Sequence, residues 1–273
     1  MTPIRFCINR MSAPRMPFAE FAAMVQNLGV SAIEIRNDLA NVEMEDGASG
    51  QAIGAIAKTH GLTIRSINAL QKFDQFDATR AQEAADLIAY AKACGAEALV
   101  LCPTNNRRDE RSADQRHVDL VNALRQLQPL LQKAGVIGLI EPLGFEECAV
   151  RRKSQAVRAI NEIGDTGTFK LVHDTFHHHL AQENLFFPDL TGLIHISGVE
   201  DTQLDASQMR DGHRVLVGAA DRLANAEQVR HLLSLGYSGY ASYEPFAEEV
   251  ASSQNIAQEL ANSMQYLQAA VAN

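Results

Sequence analysis

Lys170-Leu-Val-His-Asp-Thr-Phe-His-His-His179 is a stretch in which an apolar run (Phe169, Leu171, Val172) meets Asp174 and then His177, His178 and His179. An aspartate where a strand ends, with a histidine three residues later on a turn or first helical turn, can aim both side chains into one cavity. Taken alone, the stretch has an equally simple structural reading, in which Asp174 caps a helix and the histidines are solvated. The remainder of the chain separates the two.

Outward from this strand, short apolar runs alternate with stretches of helical spacing. Strands are expected at residues 4–8, 31–35, 62–67, 98–101 and 136–140 before it, and at 193–196 and 240–243 after it. Helices are expected over 17–28, 50–59, 78–94, 112–134, 154–163 and 252–271, with another capped by Asn225 and running to 235. Gly29, Gly95 and Gly135 stand at helix-to-strand joints, where glycine takes up the left-handed conformation that ends a helix. Eight strands, each followed by a helix or a helix-length segment, make an α/β chain of (β/α)8 barrel type, a single domain over 1–273. A doubly wound sheet fits less well, because no glycine-rich phosphate loop follows the first strand.

Composition narrows the classes of function. At 273 residues and 46% hydrophobic, the chain is long enough for one large core. The net charge of −9 argues against a general nucleic-acid binder, which needs a basic footprint. Two small basic clusters, Arg107, Arg108 and Arg111, and Arg151, Arg152 and Lys153, read as solvated loop or helix ends. No run is apolar and long enough for a signal peptide or a membrane span, and Cys7, Cys94, Cys102 and Cys148 are scattered without a C-x-x-C pair. The expectation is a cytoplasmic protein without disulfides or membrane partner. Tyr237, Tyr240 and Phe246 are open to a subunit contact in a homo-oligomer or to a place in the core.

In such a barrel the C-terminal strand ends share one mouth, so residues distant in sequence meet there. Glu141, Asp174, His195 and Glu244 fall at or near four consecutive strand ends. Individually they have dull explanations: Glu141 and Glu244 precede prolines, and His195 lies between two isoleucines. Three carboxylates around one point, however, repel one another unless a cation neutralises them. Oxygen-rich ligation with one nitrogen suits one divalent ion such as Zn²⁺ or Mn²⁺.

These residues, in Ile-Glu141-Pro-Leu-Gly, His-Asp174-Thr-Phe-His, Ile-His195-Ile-Ser-Gly and Ser-Tyr-Glu244-Pro-Phe, resemble the metal motif of the xylose-isomerase-like TIM barrels, the sugar-phosphate isomerase/epimerase family. The resemblance runs over essentially the whole chain. Within the family it is nearest to the inosose (2-keto-myo-inositol) isomerases of inositol catabolism, through Phe6-Cys-Ile-Asn9, Ile33-Glu-Ile-Arg36, Asn68-Ala-Leu70, Asp174-Thr-Phe-His177 with His179, and Glu200-Asp201. It implies that Glu141, Asp174, His195 and Glu244 hold the metal, that His177 and Arg214 contact substrate oxygens, and that Glu141 and Glu244 move protons on either side of the substrate. Asn68 could donate to the substrate from strand three. Glu147 stands where ketose 3-epimerases carry a glutamate and inosose isomerases an amide. After Arg214 the family's Pro-Gly-x-Gly is replaced by Val217-Gly-Ala-Ala220, a departure that leaves the aim of this arginine to be established.

The implied activity is isomerisation of a small polyol ketone by enediolate proton transfer, with inosose isomerase as the first reading. A ketose 3-epimerase and an inosose dehydratase share nearly all these residues. An abasic-site endonuclease of the same fold would need further histidines where Arg36 and Asn68 stand. A sugar-binding barrel without catalysis is the non-enzymatic alternative.

Overall fold

The structure, a computed structural model, describes residues 3–40 and 43–272. Residues 1, 2, 41, 42 and 273 of the expected 1–273 domain lie outside the described residues. The strands β1 (Arg5–Asn9), β2 (Ala32–Arg36), β3 (Thr63–Gln71), β4 (Ala98–Cys102), β5 (Ile137–Ile140), β6 (Phe169–Asp174), β7 (Thr191–Ile196) and β8 (Tyr240–Tyr243) pair in chain order, and β8 closes on β1. Every pairing is parallel. The fold is therefore the expected single-domain (β/α)8 barrel.

Around it run α1 (Phe18–Asn27), α2 (Gly50–Thr59), α3 (Ala78–Cys94), α4 (Ala113–Ala134), α5 (Lys153–Glu162), α6 (Thr175–Ala181), α7 (Asn225–Ser234), α8 (Glu248–Ala251) and α9 (Ile256–Ala272). Local chemistry sets their ends. Ser49, Asp77 and Ser112 accept hydrogen bonds from backbone amides three residues on and so cap α2, α3 and α4. Gly95 and Gly135 close α3 and α4 at φ 77° and 70°.

Alternation along the strands builds two apolar layers. Ala98, Val100, Leu139, Val172 and Leu193 belong to the cluster that fills the barrel interior. Their strand neighbours, such as Leu99, Ile140, Leu171 and Ile194, join the larger core under the helices.

The structure corrects several local expectations. The last helix does not begin at 252: α8 comes first, and α9 starts at Ile256 after a turn in which Ser253 Oγ accepts the Asn255 amide. Asn225 is the first helical residue rather than the cap. Its side chain is buried, donating to the Ser197 carbonyl and accepting from Thr175 Oγ1. The basic clusters are not uniformly solvated either. Arg111 is bound by Asp74, Asp109 and Asp119, and Lys153 is buried where α5 begins beside Glu183. Tyr237 is in the core, its hydroxyl bonded to the Tyr240 carbonyl.

Candidate active site and metal centre

Four strand ends bring Glu141, Asp174, His195 and Glu244 together, and each offers a ligand atom within 4.8 Å of the other three. All four are buried. Register explains the convergence: Asp174 lies opposite His195 across β6 and β7, and His195 opposite Ser242 across β7 and β8, two residues before Glu244. His195 turns Nδ1 to the carboxylates, 2.8 Å from Glu141 Oε1 and 3.1 Å from Glu244 Oε2.

The other imidazole nitrogen is held by a residue that the sequence carries within Ile33-Glu-Ile-Arg36 and to which no site role was assigned. His195 Nε2 lies 3.2 Å from Glu34 Oε2, and Glu34 is fully buried on β2. Glu34 also accepts from Ser66 Oγ, Ser242 Oγ, Asn68 Nδ2 and Asn9 Nδ2. Burial alone would raise its pKa, but the charge of His195 and these hydrogen bonds bring it down to about 2. A carboxylate behind a ligand imidazole fixes which nitrogen carries the proton and leaves the other free to ligate. The sequence did carry the signal. In Ala-Ile-Glu-Ile-Arg, two charged residues alternate with two isoleucines on one strand, which in a closed barrel turns both charges inward.

Arg36 is the second such residue. Its Nη1 is 2.7 Å from Glu244 Oε1, while Nε and Nη2 bind Asp38. Arg214 Nη2 lies 2.6 Å from Asp174 Oδ2 and 3.2 Å from Glu244 Oε2, with Nε on Ser197 Oγ. The altered loop after Arg214 thus leaves this arginine aimed at the carboxylates. Both guanidiniums lie over the Phe246 ring.

Four buried carboxylates, Glu34, Glu141, Asp174 and Glu244, stand with two buried guanidiniums, Arg36 and Arg214, which leaves two negative charges, the number one divalent ion balances. Asp38 and Asp211 sit at the exposed rim. Without a cation, the proton on His195 takes up part of the excess. Burial opposes its protonation, but Glu244, Glu34 and Glu141 outweigh that and hold its pKa well above the ordinary value. Glu244 is likewise held far below the usual carboxylate range: His195, Arg214 and Arg36 overcome the effect of burial. The donor set fits a divalent metal, with three carboxylate oxygens and one imidazole nitrogen buried together.

The remaining expected residues divide. His177 is buried beside the cluster, its amide on Asp174 Oδ1 at 2.9 Å and its Nδ1 without a hydrogen-bond partner. Gly144 allows the β5–α5 loop to pass close to it, since a Cβ there would collide with the His177 carbonyl oxygen. Asn68 lies in the floor, donating to Glu34 and Ser66. Glu147 is the outlier, paired at 3.3 Å with an exposed Arg107. Cys102 Sγ meets Glu141 Oε2 at 3.4 Å.

The model of the xylose isomerase-like TIM barrel family matches residues 22–270, and the chain belongs to that family. A xylose isomerase domain-containing protein from Salmonella typhimurium is 31% identical, with a TM-score of 0.90 and 100% of both chains covered. The IolI protein with a bound zinc atom is 22% identical over 98% of each chain, at a TM-score of 0.85. D-psicose 3-epimerase from Clostridium cellulolyticum H10, solved with D-tagatose, is 15% identical over 98% of this chain and 99% of its own, at 0.76. The last two likenesses are of fold alone. No curated protein sequence matches the chain.

Proposed function

We propose that the protein is a divalent-metal-dependent isomerase of a small polyol ketone, with an inosose as the first substrate to consider. The observation that carries this reading is the buried convergence of Glu141, Asp174, His195 and Glu244 on one point. The zinc atom in the IolI protein supports a metal on this fold. A divalent ion held by these four residues supplies Lewis acidity toward the ketone oxygen.

The protein's own residues supply the rest. His195, Arg214 and Arg36 keep Glu244 ionised, and it is one of the two carboxylates we assign to proton transfer at the carbon next to the ketone. Glu141 meets no guanidinium in the described structure, only the Cys102 thiol and His195, and is the partner for proton return. His177, buried beside Asp174 and following it on α6, would hydrogen-bond a substrate hydroxyl. Arg214 would hold a second oxygen. A ketose 3-epimerase would use the same proton chemistry. The likeness to D-psicose 3-epimerase makes it the second reading.

The test is turnover of the metal-loaded protein on inososes and free ketoses in D₂O, with the products identified. Proton transfer by a glutamate predicts deuterium at the reacting carbon and its loss in Glu244→Gln that still carries metal. No turnover of any of these ketones sinks the reading. Full retention of the substrate hydrogen with two metals bound per chain would replace proton transfer by hydride shift.

A further inference from the structure

Two arginines of the second basic cluster, Arg151 and Arg152, meet two more from α4 and α5. Arg116, Arg151, Arg152 and Arg158 line a cavity of about 340 Å³ between the start of α4, the start of α5 and the β5–α5 loop. The volume is at the lower end of the range for small-molecule pockets. Arg116 alone is neutralised, by Asp109. Arg151 is half-buried, and its Nε and Nη2 are spent on two carbonyls, those of Gly144 and Leu180, which carry no charge to offset its own. Arg152 and Arg158 are exposed, and none of the three forms an ion pair among the described residues. Two carboxylates, Asp114 and Glu146, share the lining and leave it net positive, on a chain whose overall charge is −9.

The helix end is not the attraction. The first amides of α5, at Lys153 and Ser154, are already taken by the Glu183 carboxylate. What remains open is guanidinium: Arg152 and Arg158 stand six residues apart along the start of α5, and Arg151 keeps Nη1 unbonded beside them. Clustered guanidiniums present planar donor forks that match phosphoryl oxygens. The cavity also communicates with the active site through one loop. The segment that leaves Glu141 ends at Arg151, whose guanidinium ties Gly144 to Leu180 on α6, the helix that carries His177.

We propose that this cavity is a binding site for the phosphoryl group of a small molecule. The phosphoryl group belongs either to a sugar phosphate that also reaches the mouth or to a separate ligand that binds only here. The site stands or falls by binding, independently of the activity proposed above. Titration calorimetry of the full chain with pyrophosphate at low salt should give one site per chain. Arg152→Glu with Arg158→Glu, both at exposed positions, should weaken it by at least about tenfold, the scale of one charge-assisted hydrogen bond. Arg152→Lys with Arg158→Lys should retain part of it. No binding by the wild-type chain, or equal binding by the glutamate variant, overturns the proposal. A parallel titration with a ketopentose 5-phosphate, in wild type and His177→Asn, separates the sources. Weakening of the sugar phosphate but not of pyrophosphate shows one molecule spanning loop and mouth, and no change in either shows a separate ligand.

Discussion

The two faces of β6 carry the same kinds of side chain and treat them in opposite ways. On the inner face Asp174 joins a cluster in which Glu34 and Glu244 stay ionised, because the imidazolium of His195 and, for Glu244, two guanidiniums lie beside them. On the outer face His173, His178 and Lys153 are packed with Phe186. One carboxylate, Glu183, faces them, 3.5 Å from Lys153 Nζ. Burial therefore prevails there. It pushes His178 down to about 3 and Lys153 to about 8, with the charge of Lys153 pressing His178 further and Glu183 recovering part of the loss for Lys153. Burial by itself therefore says nothing about the ionic state of a group. The supply of opposite charge decides it.

Breaking the inner face should have the largest effect. Asp174→Ala removes a ligand and strands Arg214 beside Glu244, so metal content should fall to background and turnover by about a thousandfold or more. Elemental analysis and steady-state kinetics on the same preparation check this. A variant that keeps metal and rate would show that the cluster is not the metal centre.

A finer cut is Glu34→Gln, which keeps the shape but removes the charge behind His195. Metal affinity should drop about 10–100-fold while the fold is retained, as competition with a chelator would measure. Unchanged affinity would mean that Glu34 serves the barrel floor rather than the ligand.

The outer face predicts an acid-sensitive stability. His178 has a folded pKa of about 3, below its unfolded value of about 6.5. The unfolded chain therefore binds more protons between these limits, and stability falls as pH drops from about 6.5 toward 3. For His178 this amounts to about 2–4 kcal/mol. Denaturant unfolding at pH 5.5–6.5, above the folded and unfolded ranges in which Glu34 and Glu244 titrate, should show a shallower slope in His178→Gln than in wild type. Parallel slopes would contradict the assignment.

The smallest effect belongs to Glu147, outside both faces. Its pair with exposed Arg107 should contribute less than about 1 kcal/mol, so Glu147→Ala should leave unfolding nearly unchanged. A tenfold change in kcat/KM in that variant would instead bring Glu147 into contact with substrate and strengthen the epimerase reading.

The alternation of apolar runs with helical spacing, closed by Gly29, Gly95 and Gly135, determined the barrel from sequence alone, because strand and helix periods and left-handed glycines are local properties. The four ligand-type residues were legible too, since a barrel gathers its strand ends whatever the loops between them do. Tertiary structure decided what local pattern could not carry. Glu34 and Arg36 became the partners of His195 and Glu244 only through closure of β1 on β8 and the register of its neighbours. Arg214 reached Asp174 across a loop that departs from the family pattern. His173 and Asp174, adjacent in sequence, went to opposite faces. Alternation along a strand is local, but which face is given opposite charge depends on what the rest of the chain places against it.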